Sequence, residues 1–209
     1  MRQSLVNVGK AIKGEVPLSQ ELEDVCSSLF NNIVPQIWHA RAYPSLKPLA
    51  SWILDFLERL KFMQNWIDNG APPNFWLSGF FFTQSFFTGA KQNFARKHVI
   101  AIDLLDYDFK IISDETTTDL TKDPEDGVYV WGLFMEGARW DERKEAMDES
   151  LPKVLFTQMK SIHIIPAKKA EIDYGHAYCC PVYKQARRAG TLSTTGHSTN
   201  FVLDLYLPM

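Results

Sequence analysis

Residues 73–97 read PNFWLSGFFFTQSFFTGAKQNFARK, a stretch that holds seven of the fourteen phenylalanines of the protein. Phe75, Phe80, Phe81, Phe82, Phe86, Phe87 and Phe94, with Trp76, make it too apolar to stand in water as a helix, so it must be covered on most sides. The spacing of Phe82, Phe86, Phe87, Ala90 and Phe94 predicts a helix from about Ser78 to Arg96 at the centre of the fold. Gly79 and Gly89 each cost about 1 kcal/mol relative to alanine in a helix interior, a cost tolerated where backbones approach closely.

Upstream of this stretch the pattern is helical. Ser19 is placed to cap a helix whose Leu22, Val25, Cys26, Leu29, Phe30 and Ile33 share one face, and Pro35 stops it. A second helix starts near Pro48 and ends at Gly70, with Pro72 and Pro73 forbidding continuation. Its periodicity places Trp52, Ile53, Phe56, Leu57, Leu60, Met63 and Ile67 on one side and Asp55, Glu58, Arg59 and Lys61 on the other.

Past Lys97 the period changes. Val99–Ile102, Val128–Met135, Ser161–Lys168, Ala177–Lys184 and Asn200–Leu207 are short β-branched or aromatic runs bounded by turn residues. The expected fold class is therefore α+β, an N-terminal helical part followed by a C-terminal antiparallel β-barrel of about six strands, since closure removes exposed strand edges. The division falls into a helical subdomain at 1–98 and a β-barrel subdomain at 99–209, with an acidic, solvated loop at 113–127. Asp141–Glu149 reads as an exposed turn or brief helix.

Composition excludes several function classes. With 209 residues, 45% of them hydrophobic, the protein has enough apolar material for a substantial core without metal or disulfide support. A formal net charge of -3 argues against a nucleic-acid partner, which would require clustered Lys and Arg. Residues 69–90 carry no charge, but Pro72, Pro73, Asn74, Ser78, Thr83, Gln84 and Ser85 would be costly in hydrocarbon, so no membrane partner is expected. Three cysteines, Cys26, Cys179 and Cys180, fit a reduced compartment, and the charged N-terminus lacks the apolar run of a signal peptide.

The search for chemistry ends without a site. Neither a GxxxxGK[ST] loop nor a GxGxxG turn is present. Residues 190–200, GTLSTTGHSTN, gather hydroxyls around His197 but lack the lysine and helix start of a phosphate cradle, and read as a hairpin connection. His163, His176 and His197 sit at or beside strands, and His176 near Cys179 and Cys180 lacks the second matched ligand pair of a zinc site. A nucleophilic Cys179 has no local oxyanion-hole turn to support it. The carboxylates Glu136, Asp141 and Glu142 have Arg139 as an ion-pair partner, a structural arrangement more than an acid–base one. No catalytic residue, cofactor or metal is expected.

Three stretches nevertheless carry a specific resemblance. FWLSGFFFTQSFFTGAKQNFARK from Phe75, DGVYVWGLFMEGARWD over 126–141 and GTLSTTGHSTNFVLDLYLP over 190–208 resemble the C-terminal domain of dynein heavy chains, as does LPKVLFTQMKSIHIIPAKK over 151–169. LSTTGHSTNFV and HIIPAKK are more similar to axonemal than to cytoplasmic heavy chains, in particular a single-headed inner-arm type, while the match is weakest at Trp131 and 116–121. The resemblance implies helices followed by a β-barrel, lying across the AAA+ ring of an ATP-driven microtubule motor, in the cytoplasm within a ciliary or flagellar axoneme. The implied role is noncatalytic: a regulatory and structural body that contacts ring modules of the same heavy chain and modulates motility, with other dynein subunits as further partners. Candidate ring-facing residues are Trp38, Trp52, Phe80, Phe81 and Phe87, and Arg139, Trp140 and Asp141 are assigned to barrel closure or a contact between the halves. The alternative is a binding module whose barrel end holds a small ligand or an axonemal partner protein.

Overall fold

The computed structural model describes residues 1–43, 45, 47–112, 120–136, 138–154, 156–172, 174, 177–183 and 199–206. Residues 113–119 of the expected acidic loop, the 190–198 connection, His176 and His197 lie outside the described residues. Among those described the fold is α+β, with five helices leading into ten strands: α1 (Arg2–Ile12), α2 (Gln20–Phe30), α3 (Gln36–His39), α4 (Leu49–Asn69) and α5 (Thr83–His98). The strands are β1 (Asn74–Trp76), β2 (Leu105–Ile111), β3 (Val128–Trp131), β4 (Phe134–Glu136), β5 (Ala138–Asp141), β6 (Ala146–Glu149), β7 (Phe156–Gln158), β8 (Ile162–Lys168), β9 (Ala177–Tyr183) and β10 (Thr199–Tyr206).

Local chemistry sets the helix ends. Ser19 caps α2, its hydroxyl accepting the Leu22 N–H at 3.4 Å. After α2 the backbone turns at Asn32 in the left-handed region, φ 56°. Asn32 is then positioned to cap α4 from outside: its carbonyl accepts the Leu49 N–H at 2.9 Å and its side-chain Oδ1 the Ala50 N–H at 3.1 Å. Pro48 precedes the first turn, and Gly70 at φ 88° ends the helix, donating its N–H to the Trp66 carbonyl at 2.9 Å.

The aromatic stretch divides where one helix was expected. Residues 74–76 form β1, residues 77–79 a single 3-10 turn, and α5 begins only at Thr83. Val99, expected to open a strand, instead ends α5 in the left-handed region at φ 54°, and the strand follows at β2. The true signal was the alternation of Leu105, Tyr107, Phe109 and Ile111 with Asp106, Asp108 and Lys110. Asp141–Glu149 is neither bare turn nor helix but the tip and second strand of the β5–β6 hairpin.

The strands form one four-stranded sheet in the order β1-β3-β8-β2 and three two-stranded ladders, β9–β10, β4–β7 and β5–β6. Among the described residues these sheets do not close into the expected barrel, and the pairing is not wholly antiparallel, because β1 runs parallel to β3 with Phe75 opposite Val130. The reason lies partly at Gly132. Val128–Met135 was expected as one strand, but Gly132 adopts φ 88°, and a Cβ there would come 2.5 Å from Trp76 Cδ1. The backbone bends around the indole, and β3 and β4 enter different sheets.

Two apolar cores result. One joins Phe80 and Phe87 to Phe109, Val130, Ile162 and Ile164 of the four-stranded sheet, with Phe62 and Trp66 of α4 against it. The other, Trp38, Tyr43, Leu49 and Trp52, fills the space among α2, α3 and α4. Helix α4 serves both.

Candidate functional site

The inward face of α4 is built on Trp52, Asp55, Phe56, Arg59, Phe62, Met63 and Trp66, a 3.6-residue period that places a carboxylate and a guanidinium among rings. Trp52 is fully buried, stacks on Phe56 at 5.3 Å between centroids and lies 6.0 Å from the Tyr43 ring. One turn on, Arg59 is 0% exposed and Asp55 3%. Arg59 Nε donates to Asp55 Oδ2 at 3.0 Å, and Nη1 to the Ser78 carbonyl at 2.7 Å. The guanidinium carbon sits 3.9 Å from the Tyr43 ring centroid and 5.5 Å from that of Trp76. This ties α4 to the turn before the aromatic helix.

Asp55 serves a second cation. Lys47 Nζ lies 3.8 Å from Asp55 Oδ1, with its side chain 6% exposed. Burial lowers the Lys47 pKa, with Asp55 opposing, and burial followed by the Asp55 carboxylate raises that of the Tyr43 phenol. Asp55 and Arg59, expected on the solvated side of this helix, are thus its most deeply held polar groups. The signal available in the sequence was the Asp-to-Arg spacing of four within a stripe of Trp52, Phe56, Phe62 and Trp66.

Leucines take the side given up by the charges. Leu54, Leu57, Leu60 and Ile67 are exposed to 66%, 53%, 43% and 78%, and Ile53 is half-buried beside them. At the end of α2, Phe30 and Ile33 are exposed as well. Scattered apolar side chains need no explanation, but a helical stripe of them along one α4 face is a contact surface by its chemistry.

The five residues expected to face a larger body are placed unequally. Trp38, Trp52, Phe80 and Phe87 are buried in the protein's own cores, Trp38 also donating its indole N–H to Ser4 Oγ at 2.9 Å. Phe81 is exposed at 36% and meets Tyr43 and Phe56 edge-on. Arg139, Trp140 and Asp141 come together in the β5–β6 hairpin. Arg139 Nη2 bonds Asp141 Oδ2 at 3.0 Å and the cross-strand Asp148 Oδ2 at 2.9 Å, while Asp141 Oδ1 accepts the Arg143 and Lys144 N–H groups of the turn. Trp140 packs its ring against the larger core. The Lys144 ammonium and the Glu149 N–H hold the Asp148 carboxyl below its ordinary range.

The remaining titratable groups stay apart. His163 Nε2 meets the Asp126 carbonyl at 2.8 Å, and burial lowers its pKa. The Asp126 carboxylate accepts from Lys97 at 2.8 Å and lies 3.0 Å from His98 Nε2, tying the end of α5 to the start of β3. Among the described residues no three His, Cys, Asp or Glu side chains gather as metal ligands, and no helix is long and apolar enough to cross a membrane.

Two clefts flank α4. One, of about 770 Å³, has Phe62, Trp76 and Trp131 among its walls, with Glu58, Lys61, Asn65 and Gln158 around them. Trp76 and Trp131 stack there at 5.9 Å, and Trp131 is 40% exposed. The other, of about 550 Å³, opens at the start of α4 and has Lys47 and His39 among its polar lining residues.

Comparison with known proteins places this architecture. A family model for the C-terminal domain of the dynein heavy chain matches residues 1–209. Dynein axonemal heavy chain 1 of Mus musculus is 52% identical over 206 residues, covering 99% of this sequence and 5% of that protein. Dynein axonemal heavy chain 3 of Homo sapiens is 51% identical over 208 residues, 100% of this sequence and 5% of its own length. Dynein axonemal heavy chain 12 of Homo sapiens is 52% identical over 207 residues, 99% of this sequence and 7% of its own. The 209 residues thus span about a twentieth of the length of the relatives they match.

Proposed function

The protein belongs to the family of C-terminal domains of dynein heavy chains, and from that premise we propose that it is a noncatalytic structural and regulatory domain, docked on the AAA+ ring of its own heavy chain and modulating the motility of an ATP-driven axonemal motor. The ATP chemistry belongs to the ring, because residues 1–209 contain no GxxxxGK[ST] loop. Its place is the cytoplasm of the ciliary or flagellar axoneme, with ring modules of the same polypeptide as first partners and other dynein subunits as further ones. An inner-arm heavy chain is the type favoured.

The observation that carries this reading is the outward stripe of α4. Among the described residues nothing covers Leu54, Leu57, Leu60 and Ile67, which supports their burial against a larger surface. Coupling follows from rigidity. The Arg59 bond to the Ser78 carbonyl fixes α4 to the turn that follows β1, and the β1–β3 pairing joins 1–98 to 99–209, so that a push on the helices reaches the strands. In the β part, β9 lies beside β4 and β10 beside β2, an arrangement that supports a rolled sheet completing the barrel implied by the family.

The test is reassociation. A heavy chain lacking this domain is mixed with the 209-residue protein bearing Leu57→Ser and Leu60→Ser, and binding and microtubule gliding are measured. Affinity at least about tenfold weaker than for the unaltered protein is expected, and equal affinity rejects the docking face. A second reading, a module for a small ligand or an axonemal partner protein, draws support from the aromatic cleft at Trp131. Its mark is a thermal shift with an added ligand that Trp131→Ala removes.

A further inference from the structure

We propose that the cleft walled by Phe62, Trp76 and Trp131 receives the guanidinium of an arginine side chain carried by a partner protein, with Glu58 as its counter-charge. The inference rests on the second reading of the function, a module for an axonemal partner protein, and names the chemistry such a module would recognise. The rings form a preset wall. Trp131 ends β3 opposite Trp76 in the parallel β1–β3 register, and the two indoles stack at 5.9 Å with 22° between their planes. Phe62 of α4 meets Trp76 edge-on at 5.8 Å. Trp76 is 5% exposed and donates its indole N–H to Ser78 Oγ at 2.7 Å, whereas Trp131 is left 40% exposed. An indole face is the best aromatic partner for a cation, and a planar guanidinium also stacks on it.

Charge complements the rings. Among the described residues Glu58 is the one carboxylate lining the cleft, and it has no ion-pair partner there, acting on Lys47 only through space. Lys61 lines the cleft too, but by the helical period it stands about 100° round α4 from Phe62, while Glu58 stands about 40° away. The carboxylate is thus beside the rings and the ammonium at the outer rim. Asn65 Oδ1 is taken by the Asn69 amide at 2.7 Å, which leaves the Gln158 carbonyl of β7 as the amide acceptor for a guanidinium N–H.

The protein already holds one arginine in this manner. Arg59, the neighbour of Glu58, has a carboxylate in Asp55, ring faces in Tyr43 at 3.9 Å and Trp76 at 5.5 Å, and an acceptor in the Ser78 carbonyl. On the flank of the same helix the cleft repeats carboxylate, indole and amide carbonyl, and among the described residues no Lys or Arg stands over the Trp131 ring. Its walls come from α4, β1, β3 and β7, so an arginine seated there would pin the helical part to the strands. Leu57 and Leu60 do not line it, and the docking face is therefore a separate matter.

The experiment titrates three capped peptides, Gly-Arg-Gly, Gly-Lys-Gly and Gly-Trp-Gly, separately into the 209-residue protein at constant ionic strength. The Trp131 indole N–H resonance and the fluorescence are followed. The arginine peptide should bind at least about fivefold more tightly than either of the others. Glu58→Gln should weaken it about tenfold, and Lys61→Gln should tighten it about twofold by removing a like charge from the rim. Trp131→Ala should abolish binding. Should that variant fail to fold, Glu58→Gln decides, being an isosteric change at an exposed helical position. A preference for the tryptophan peptide that Glu58→Gln leaves unmoved overturns the guanidinium while the second reading stands. Equal affinity for arginine and lysine, or an arginine affinity indifferent to Glu58→Gln, overturns it as well. Silence from all three peptides also overturns the proposal, and the module itself is then judged by whether any other ligand gives a thermal shift that Trp131→Ala removes.

Discussion

The two faces of α4 invert the usual order. Its inward face holds a buried arginine and aspartate, and its outward face presents Leu54, Leu57, Leu60 and Ile67 to solvent. Each face is intelligible only through what it meets. Inward, Tyr43, Trp76 and the Ser78 carbonyl surround the ion pair with rings and an acceptor, so the charges are paired and desolvated together. Outward, nothing in the described residues covers the leucines. A protein that spends polar groups in its own core and apolar groups on its surface is built to be part of something larger.

The largest effect should come from breaking the inward face. Asp55→Ala leaves Arg59 and Lys47 buried without a carboxylate and should destabilise the protein by about 3–5 kcal/mol, read from urea unfolding. An unchanged unfolding midpoint would mean that the pair contributes no net stability. The sheet offers a control of similar size and different cause. Gly127 has φ 78°, and a Cβ there would stand 2.2 Å from the Ile164 carbonyl oxygen, so Gly127→Val should cost about 2–4 kcal/mol. Loss of the β3–β8 pairing should show in amide exchange of Val128 and Ile164, which are opposite each other.

The next effect is pH-dependent and local to the junction of α5 and β3. Because burial lowers the His163 pKa from its ordinary 6.5, the unfolded state takes up this proton before the folded one does. The stability tied to neutral His163 is therefore complete above that value and is lost as the pH falls through it. Asp126, held low by Lys97 first and His98 next, should behave alike at a lower pH, its contribution present above 3.8 and lost below. Denaturant midpoints measured from about pH 7 to pH 5 should fall less steeply in His163→Gln, and an identical slope would remove histidine from the account.

The smallest effect should be on the outward face, and it is the sharpest test of the contrast. In the isolated 209-residue protein, Leu57→Ser and Leu60→Ser should each alter stability by no more than about 0.5 kcal/mol, since both side chains are already hydrated. A loss of several kcal/mol would show that these leucines serve the protein's own core.

Much of the fold was legible locally. Ser19, Pro48 and Gly70 mark helix ends through hydrogen bonds and dihedral limits that act within a few residues, and β8, β9 and β10 follow short β-branched or aromatic runs that are local too. The site was less so. Trp38, Trp52, Phe80 and Phe87 qualify as contact candidates because they are large and apolar, and they lie inside; hydrophobicity alone does not say whether a ring is covered by its own polypeptide. The orientation of α4 escaped for the same reason, because an apolar arc wide enough to include Leu57 and Trp52 admits two inward faces.

By itself, the sequence determined the α-then-β order, the main breaks between helices and the family, because turn residues, caps and motifs carry their physics within short windows. Tertiary structure decided which side of α4 turns inward, where Gly132 breaks a continuous apolar run into two strands, and that β1 joins the sheet. Those outcomes depend on partners distant in sequence, Ser78 for Arg59, Trp76 for Gly132 and Val130 for Phe75, whose meeting no local pattern encodes.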